Sequence, residues 1–454
     1  MLTPQEIAER ALGHASGPGQ LAVIVTQTSQ VNLRWAANTT TTNGALSGTQ
    51  VDIVAMDRGT ATVSGQVRSP DDVTSLVDRA RAAAADAPPV EDSRPLPSPQ
   101  GAAVDWADEP GAASPEDLRR LAQGLAGAFT DAHGLTNSGY AERDVTTTYL
   151  ATTTGTVLRH EQVQGRAEFT ARADDGRRSA WEGFADPDLD VDVESVMARI
   201  RESLAVQRRP IRVPAGPQTV ILSPSATADL MVDLYYSADA RSALEGRSVF
   251  AGPEGPRLGD VLGHGVTLSS DPQHTGPGMR CAPFEYAAAS SDSTSVFDNG
   301  LPLTRTEWVA DGRLANLIST RHTSTALGRP VTPGIDNLEL SMAAGHGSVA
   351  DLISRTERGL LITCLWYNRV VDPQTLLLTG LTRDGVYVVR DGALVGAAGN
   401  FRYNESPVSL LGRILDASDP ERTLPREMGD YFNRVRMPAL VTAEFNLSTA
   451  SEAH

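Results

Sequence analysis

Apolar and polar residues alternate in rhythm along the first half of the chain. "QLAVIVTQTSQVNLRWAANTTTTN", from Gln20, predicts a strand, a turn and a second strand. "TQVDIVAMDRGTATVSGQV" predicts another hairpin, with Asp57-Arg58-Gly59 at its turn. A helix over 4–15 opens the chain, where Thr3 and Glu6 form a capping box around Pro4. A second helix follows the hairpins, with Ser69 as N-cap and Pro70 at its first position. Residues 86–113 are Pro-rich and acidic and cannot hold a ladder or a long helix, so they predict a crossing segment. Ser114-Pro115-Glu116-Asp117 then caps a helix to about Ala132. Two long strands rich in Thr, Val and Tyr follow, at 138–151 and 156–172, joined through Thr154-Gly155. "DVESVMARIRESLAVQ" places Val193, Val196, Ile200 and Leu204 on one side of a further helix.

The three prolines of "RRPIRVPAGPQ" mark a boundary, and the texture changes beyond it. Short apolar runs separated by Gly and Pro dominate, with one main helix expected over 224–244. The fold class expected is α+β. Residues 1–209 form an N-terminal α/β domain with small antiparallel sheets. Residues 210–454 form a largely antiparallel, barrel-like β domain.

Length and charge narrow the function. The 454 residues are enough for two to four domains. A net charge of −17 argues against a nucleic-acid partner, which needs a basic surface. Every basic residue is Arg, so Schiff-base chemistry and a P-loop Lys are excluded. The N-terminus lacks the basic and apolar regions of a signal peptide, and no stretch approaches a membrane span. A cytoplasmic protein is the simplest expectation. Cys281 and Cys364 are too few for a disulfide framework, and Cys364, inside "LLITCLWY", reads as an inert buried thiol.

Candidate chemistry is sparse. Asp229 and Asp233 are four apart on the 224–244 helix and share a face. With no His or Cys within a turn, that face is expected to be solvated rather than metal-binding. His264, His274, His322 and His346 stand alone and read as loop or capping residues; Ser348 and Asp351 form a capping box after His346. There is no G-x-S-x-G elbow and no G-x-G-x-x-G after a strand. Residues 355–395 stand out, because Tyr367-Asn368-Arg369 ends an apolar strand and Thr382-Arg383-Asp384-Gly385 forms a turn before the next.

"ERGLLITCLWYNRVVDPQTLLLTGLTRDGVYVVRDGAL" followed by "NFRYNESPVSLL" resembles the TldD/PmbA family, named for modulators of DNA gyrase. "LEGRSVF", "LGDVL", "VTLSSDP", "PFEY" and "TPGIDNLEL" follow in that family's order. The resemblance implies an N-terminal α/β domain and a C-terminal antiparallel β domain. It also implies one of two kinds of subunit. The TldD kind carries H-E-x-x-x-H on the 224–244 helix and a later Cys, which together hold zinc, with the Glu as general base. Counted back from Gly246-Arg247-Ser248, the His positions fall on Met231 and Tyr236 and the Glu position on Val232. No Cys-Gly segment occurs in "MPALVTAEFNLSTASEAH".

The resemblance thus implies a metal-free TldE/PmbA-type subunit, with no metal or catalytic residue of its own. Zinc would come from a TldD-like partner, in a heterodimer or larger assembly that degrades or processes unfolded peptides. Trp366, Tyr367, Asn368, Arg369 and Arg383 are the residues expected to face partner or peptide. Two other readings stand beside it. One is a peptide-binding accessory in the maturation of a ribosomal peptide natural product. The other is a self-sufficient hydrolase using Asp229 and Asp233 with a distant His.

Overall fold

The structure is a computed structural model that describes residues 2–15, 18–99 and 103–451. Residues 100–102 of the expected crossing segment lie outside the described residues. The fold is α+β. Instead of small separate sheets, the N-terminal half builds one six-stranded antiparallel sheet. Its order is Thr60–Gly65, Thr39–Met56, Gln20–Ala36, Thr136–Thr152, Val157–Ala173 and Arg178–Ala185.

Side-chain alternation sorts the two faces of this sheet. On one face, Leu21, Val23 and Val25 pack under the helices Pro4–His14 and Pro70–Asp86, with Ile7, Val73 and Val77. Farther along the same face, Leu33, Trp35 and Phe169 pack under Arg119–Thr130 and Val193–Val206, with Leu125 and Ile200. On the other face, Ala22, Ile24 and Leu150 pack against Phe284, Val296 and Phe297 from the C-terminal half. The unbroken run Leu21–Val25 is therefore apolar because it is buried on both sides.

The C-terminal half holds two larger sheets. An eight-stranded sheet has Gly216–Leu222 and Arg358–Asp372 at its centre, paired in parallel, with mostly antiparallel neighbours. A six-stranded sheet contains Val266–Ser270, Leu338–Met342, Val435–Met437 and Glu421–Thr423. Both are open; among the described residues no barrel closes. Helix Pro224–Tyr236 lies between them, touching Arg358–Asp372 on one side and Val435–Met437 on the other. It ends at Tyr236, and a separate short helix, Ala240–Leu244, begins after Asp239, which accepts from the Ser242 N–H at 2.7 Å. Among the described residues no helix is long and apolar enough to cross a membrane.

Candidate functional site

Helix Pro224–Tyr236 starts where the central strand Gly216–Leu222 ends. Ser223 caps it by accepting from the Ala226 N–H at 3.2 Å, and the Ser223 hydroxyl donates to the Thr363 carbonyl at 2.5 Å. Nearly every side chain of the helix is buried, as expected for a helix packed between two sheets. Met231 and Val232 are both 0% exposed and belong to the main core with Phe250, Trp308 and Leu340. Tyr236, at the last turn, is 46% exposed and packs on Phe432 at 5.7 Å between ring centroids. Met231 and Tyr236, expected to stand where the TldD kind places histidines, thus see different surroundings, one the core and one an exposed edge.

The expected solvated Asp229/Asp233 face is not solvated. Asp229 is 0% exposed, and its Oδ1 accepts from the backbone N–H groups of Glu427 (3.0 Å) and Met428 (3.1 Å). Burial pushes its carboxyl well above the usual range, against those two donors. Burial also raises Asp233 to about 6, opposed by a loose contact with the Asn368 amide. Asp229 Oδ2, Asp233 Oδ2 and Asn368 Nδ2 are buried without hydrogen-bond partners. Asp229 faces the segment after Leu424, which folds back over the helix, while Asp233 is partly exposed.

The strand Arg358–Asp372 passes beside this cluster. Its pairing with Leu377–Arg390 is interrupted by a bulge between Trp366 and Arg369, where Tyr367 takes a left-handed φ of 56°. The bulge turns Tyr367 outward, 52% exposed, and its N–H donates to Glu427 at 3.0 Å. Arg369 is exposed and pairs with the same Glu427 at 3.2 Å. Asn368 is buried, and its Oδ1 accepts from the Tyr403 hydroxyl at 2.5 Å. Trp366 is half-buried against the Arg426 guanidinium at 4.8 Å, whose other face lies over Trp181 at 4.8 Å. Arg383, on the paired strand, lies 3.9 Å from Asp384. Three of the five expected contact residues, Trp366, Tyr367 and Arg369, therefore meet Arg426 or Glu427. Neither of those two carries a signal in the sequence, since "LPREMGD" has no periodicity or spacing of its own.

Tyr236 also opens onto a cleft of about 410 Å³ between the two halves. Thr146, Thr148, His160 and Gln162 line it from the N-terminal sheet, where Thr146 pairs with Gln162 and Thr148 with His160. Phe284, Glu285, Phe432 and Arg434 line the opposite wall. Burial raises Glu285 to about 8, helped by the charge of Asp298, and burial lowers His160. Among the described residues no group of three or more His, Cys, Asp or Glu is placed to hold a metal ion. At the positions expected to correspond to the zinc histidines stand the thioether of Met231 and the phenol of Tyr236, whose pKa burial raises, and at the expected base position the isopropyl group of Val232; this set does not fit zinc.

Residues 215–449 match the family model of the PmbA/TldA metallopeptidase C-terminal domain, and residues 108–207 that of the PmbA/TldA metallopeptidase central domain. Among solved structures, TldE from Thermococcus kodakarensis is similar with a TM-score of 0.81 at 16% identity, over 97% of this chain and 99% of that one. A protein described as a candidate modulator of a DNA gyrase from Thermotoga maritima has a TM-score of 0.77 at 17% identity, over 98% and 100%. Another so described, from Bacteroides thetaiotaomicron, has a TM-score of 0.77 at 13% identity, over 98% and 99%. At these identities the likeness establishes the shared fold. No curated protein matches the chain.

Proposed function

The chain belongs to the PmbA/TldD metallopeptidase family, and on that premise we propose that it is the metal-free, non-catalytic subunit of a TldD/TldE-type zinc peptidase acting on unfolded peptides. The observation that carries this reading is the state of the helix Pro224–Tyr236. Where zinc ligands and a general base would stand, Met231 and Val232 are sealed in the core and Tyr236 offers only a phenol. Zinc then comes from a TldD-like partner subunit, and this chain completes the chamber. The fold likeness to TldE of Thermococcus kodakarensis supports the family on which this reading rests. The self-sufficient hydrolase is disfavoured, because Asp229 is sealed from any substrate.

The surface assigned to the partner or peptide is the bulged end of Arg358–Asp372. Tyr367, Val370 and Val371 are each at least half exposed there, beside Arg369 and the half-buried Trp366. Asn368 and Arg383 serve that surface from behind, the first by fixing the bulge through Tyr403. The halves 1–209 and 210–454 are the two building blocks of this subunit. The test is co-expression with a zinc-bearing sister, size-exclusion chromatography, and cleavage of an unfolded peptide with and without this chain. Tyr367→Ala and Arg369→Ala are expected to weaken assembly or cleavage. A sister that cleaves equally well without this chain overturns the reading.

A further inference from the structure

The strand Thr39–Met56 is paired on both edges only over part of its length. Gln20–Ala36 covers one edge along nearly the whole strand, but Thr60–Gly65 covers the other only at Val51–Met56. Among the described residues nothing pairs with the outer edge of Thr39–Gln50, a length of roughly 40 Å at about 3.4 Å per residue. Free edges invite another strand, and proteins ordinarily blunt them with charge, Pro or cover. This one is not blunted. "TTTTNGALSGTQ" has no charged residue and no proline, and Thr39–Gly48 are exposed throughout. The opposite edge of the same sheet, Arg178–Ala185, lies against Leu377–Arg390 and Glu421–Thr423. A notch of about 250 Å³ lies between this strand, its neighbour Gln20–Ala36 and the segment 115–122; Val31, Leu33, Ala45 and Leu118 line it together with Asn43 and Arg119.

We propose that the free edge of Thr39–Gln50 is a strand-addition site for an extended polypeptide, with the notch receiving one of its small apolar side chains. Added strands are held by backbone hydrogen bonds, with side-chain pockets giving only partial selection. An uncharged edge suits peptides of many sequences, because it neither repels nor selects by charge. The occupant is an unfolded peptide rather than a permanent subunit. Permanent interfaces are apolar at their centre, whereas Ala45 and Leu46 are the only apolar residues on this edge apart from its glycines. The choice of occupant rests on the peptide-handling reading above.

The test uses this chain alone and reads no cleavage, so its failure leaves the subunit reading standing. A fluorescein-labelled, uncharged Thr/Val/Ser peptide of about ten residues is titrated against the chain by fluorescence anisotropy, beside its fully N-methylated counterpart. Neighbouring residues of a strand point their N–H groups to opposite edges. Of Ser47→Pro and Gly48→Pro, one therefore removes an outward donor and the other an inward one. The expected result is binding of the unmodified peptide, at least tenfold weaker binding of the methylated one, and a similar loss in the Pro variant whose circular dichroism is unchanged. Equal binding of both peptides, no binding at all, or full binding by both Pro variants overturns the proposal. Self-association of the chain that a Pro variant abolishes would assign the edge to a second copy and also overturn it.

Discussion

Glu285→Gln is expected to stabilise the protein at neutral pH and to leave it unchanged in acid. Glu285 is 7% exposed, lines the cleft between the halves, and stands near the charge of Asp298. Those two effects, burial first, move its pKa from 4.5 to about 8. The folded state therefore holds a proton that the unfolded chain releases above pH 4.5. Stability is complete below that pH and falls as pH rises towards about 8. At about 1.36 kcal/mol per pH unit the loss is about 3 kcal/mol at pH 7 and about 5 kcal/mol once the folded state is also ionised. Gln carries no such penalty and keeps nearly the same shape. For a chain of this length, unfolding entropy of about 2.1 cal/mol/K per residue converts about 1 kcal/mol to about 1 °C. Melting curves by scanning fluorimetry from pH 4.5 to 8.5 should show the variant gaining about 3–5 °C over the parent as pH rises. Parallel curves, or a difference largest in acid, would refute the reasoning.

Val232→Glu places a carboxylate in the main core and should cost at least about 3 kcal/mol, read as a lowered melting temperature. Combined with Met231→His and Tyr236→His, it should yield neither stoichiometric zinc by elemental analysis nor peptidase activity that a chelator suppresses, because the groups that orient metal ligands are missing. Arg426→Ala removes a cation held between Trp181 and Trp366 and an ion pair to Glu168 at 2.7 Å; a loss of about 2–3 kcal/mol and faster proteolysis between residues 207 and 215 are expected. Tyr403→Phe leaves the buried Asn368 oxygen without its donor and should cost about 1–3 kcal/mol by thermal denaturation.

Local features are legible in the sequence where they depend on nearby residues. The capping boxes at Thr3/Glu6 and Ser348/Asp351, the cap Ser69, and the two long strands at 136–152 and 157–173 follow from chemistry within a few positions. The strand Thr39–Met56 was not legible as one element. Its first part is exposed on both faces, so no apolar alternation runs through it, and the sequence pattern divides it between two hairpins. The burial of Asp229 was not legible either, because its cover comes from Glu427 and Met428, some two hundred residues away. The same distance hid Arg426 and Glu427, whose importance arises only when their loop reaches the bulge at Tyr367.

The stack of Trp181, Arg426 and Trp366 joins a strand of the N-terminal sheet to a strand of the C-terminal half through a loop of the latter. Indole emission responds to a charge held against the ring. The molecule thus carries a built-in optical gauge of how its two halves are registered. Two of its five tryptophans sit at that junction, so any docking event that slides one half on the other changes the colour and yield of the intrinsic fluorescence without a label being attached.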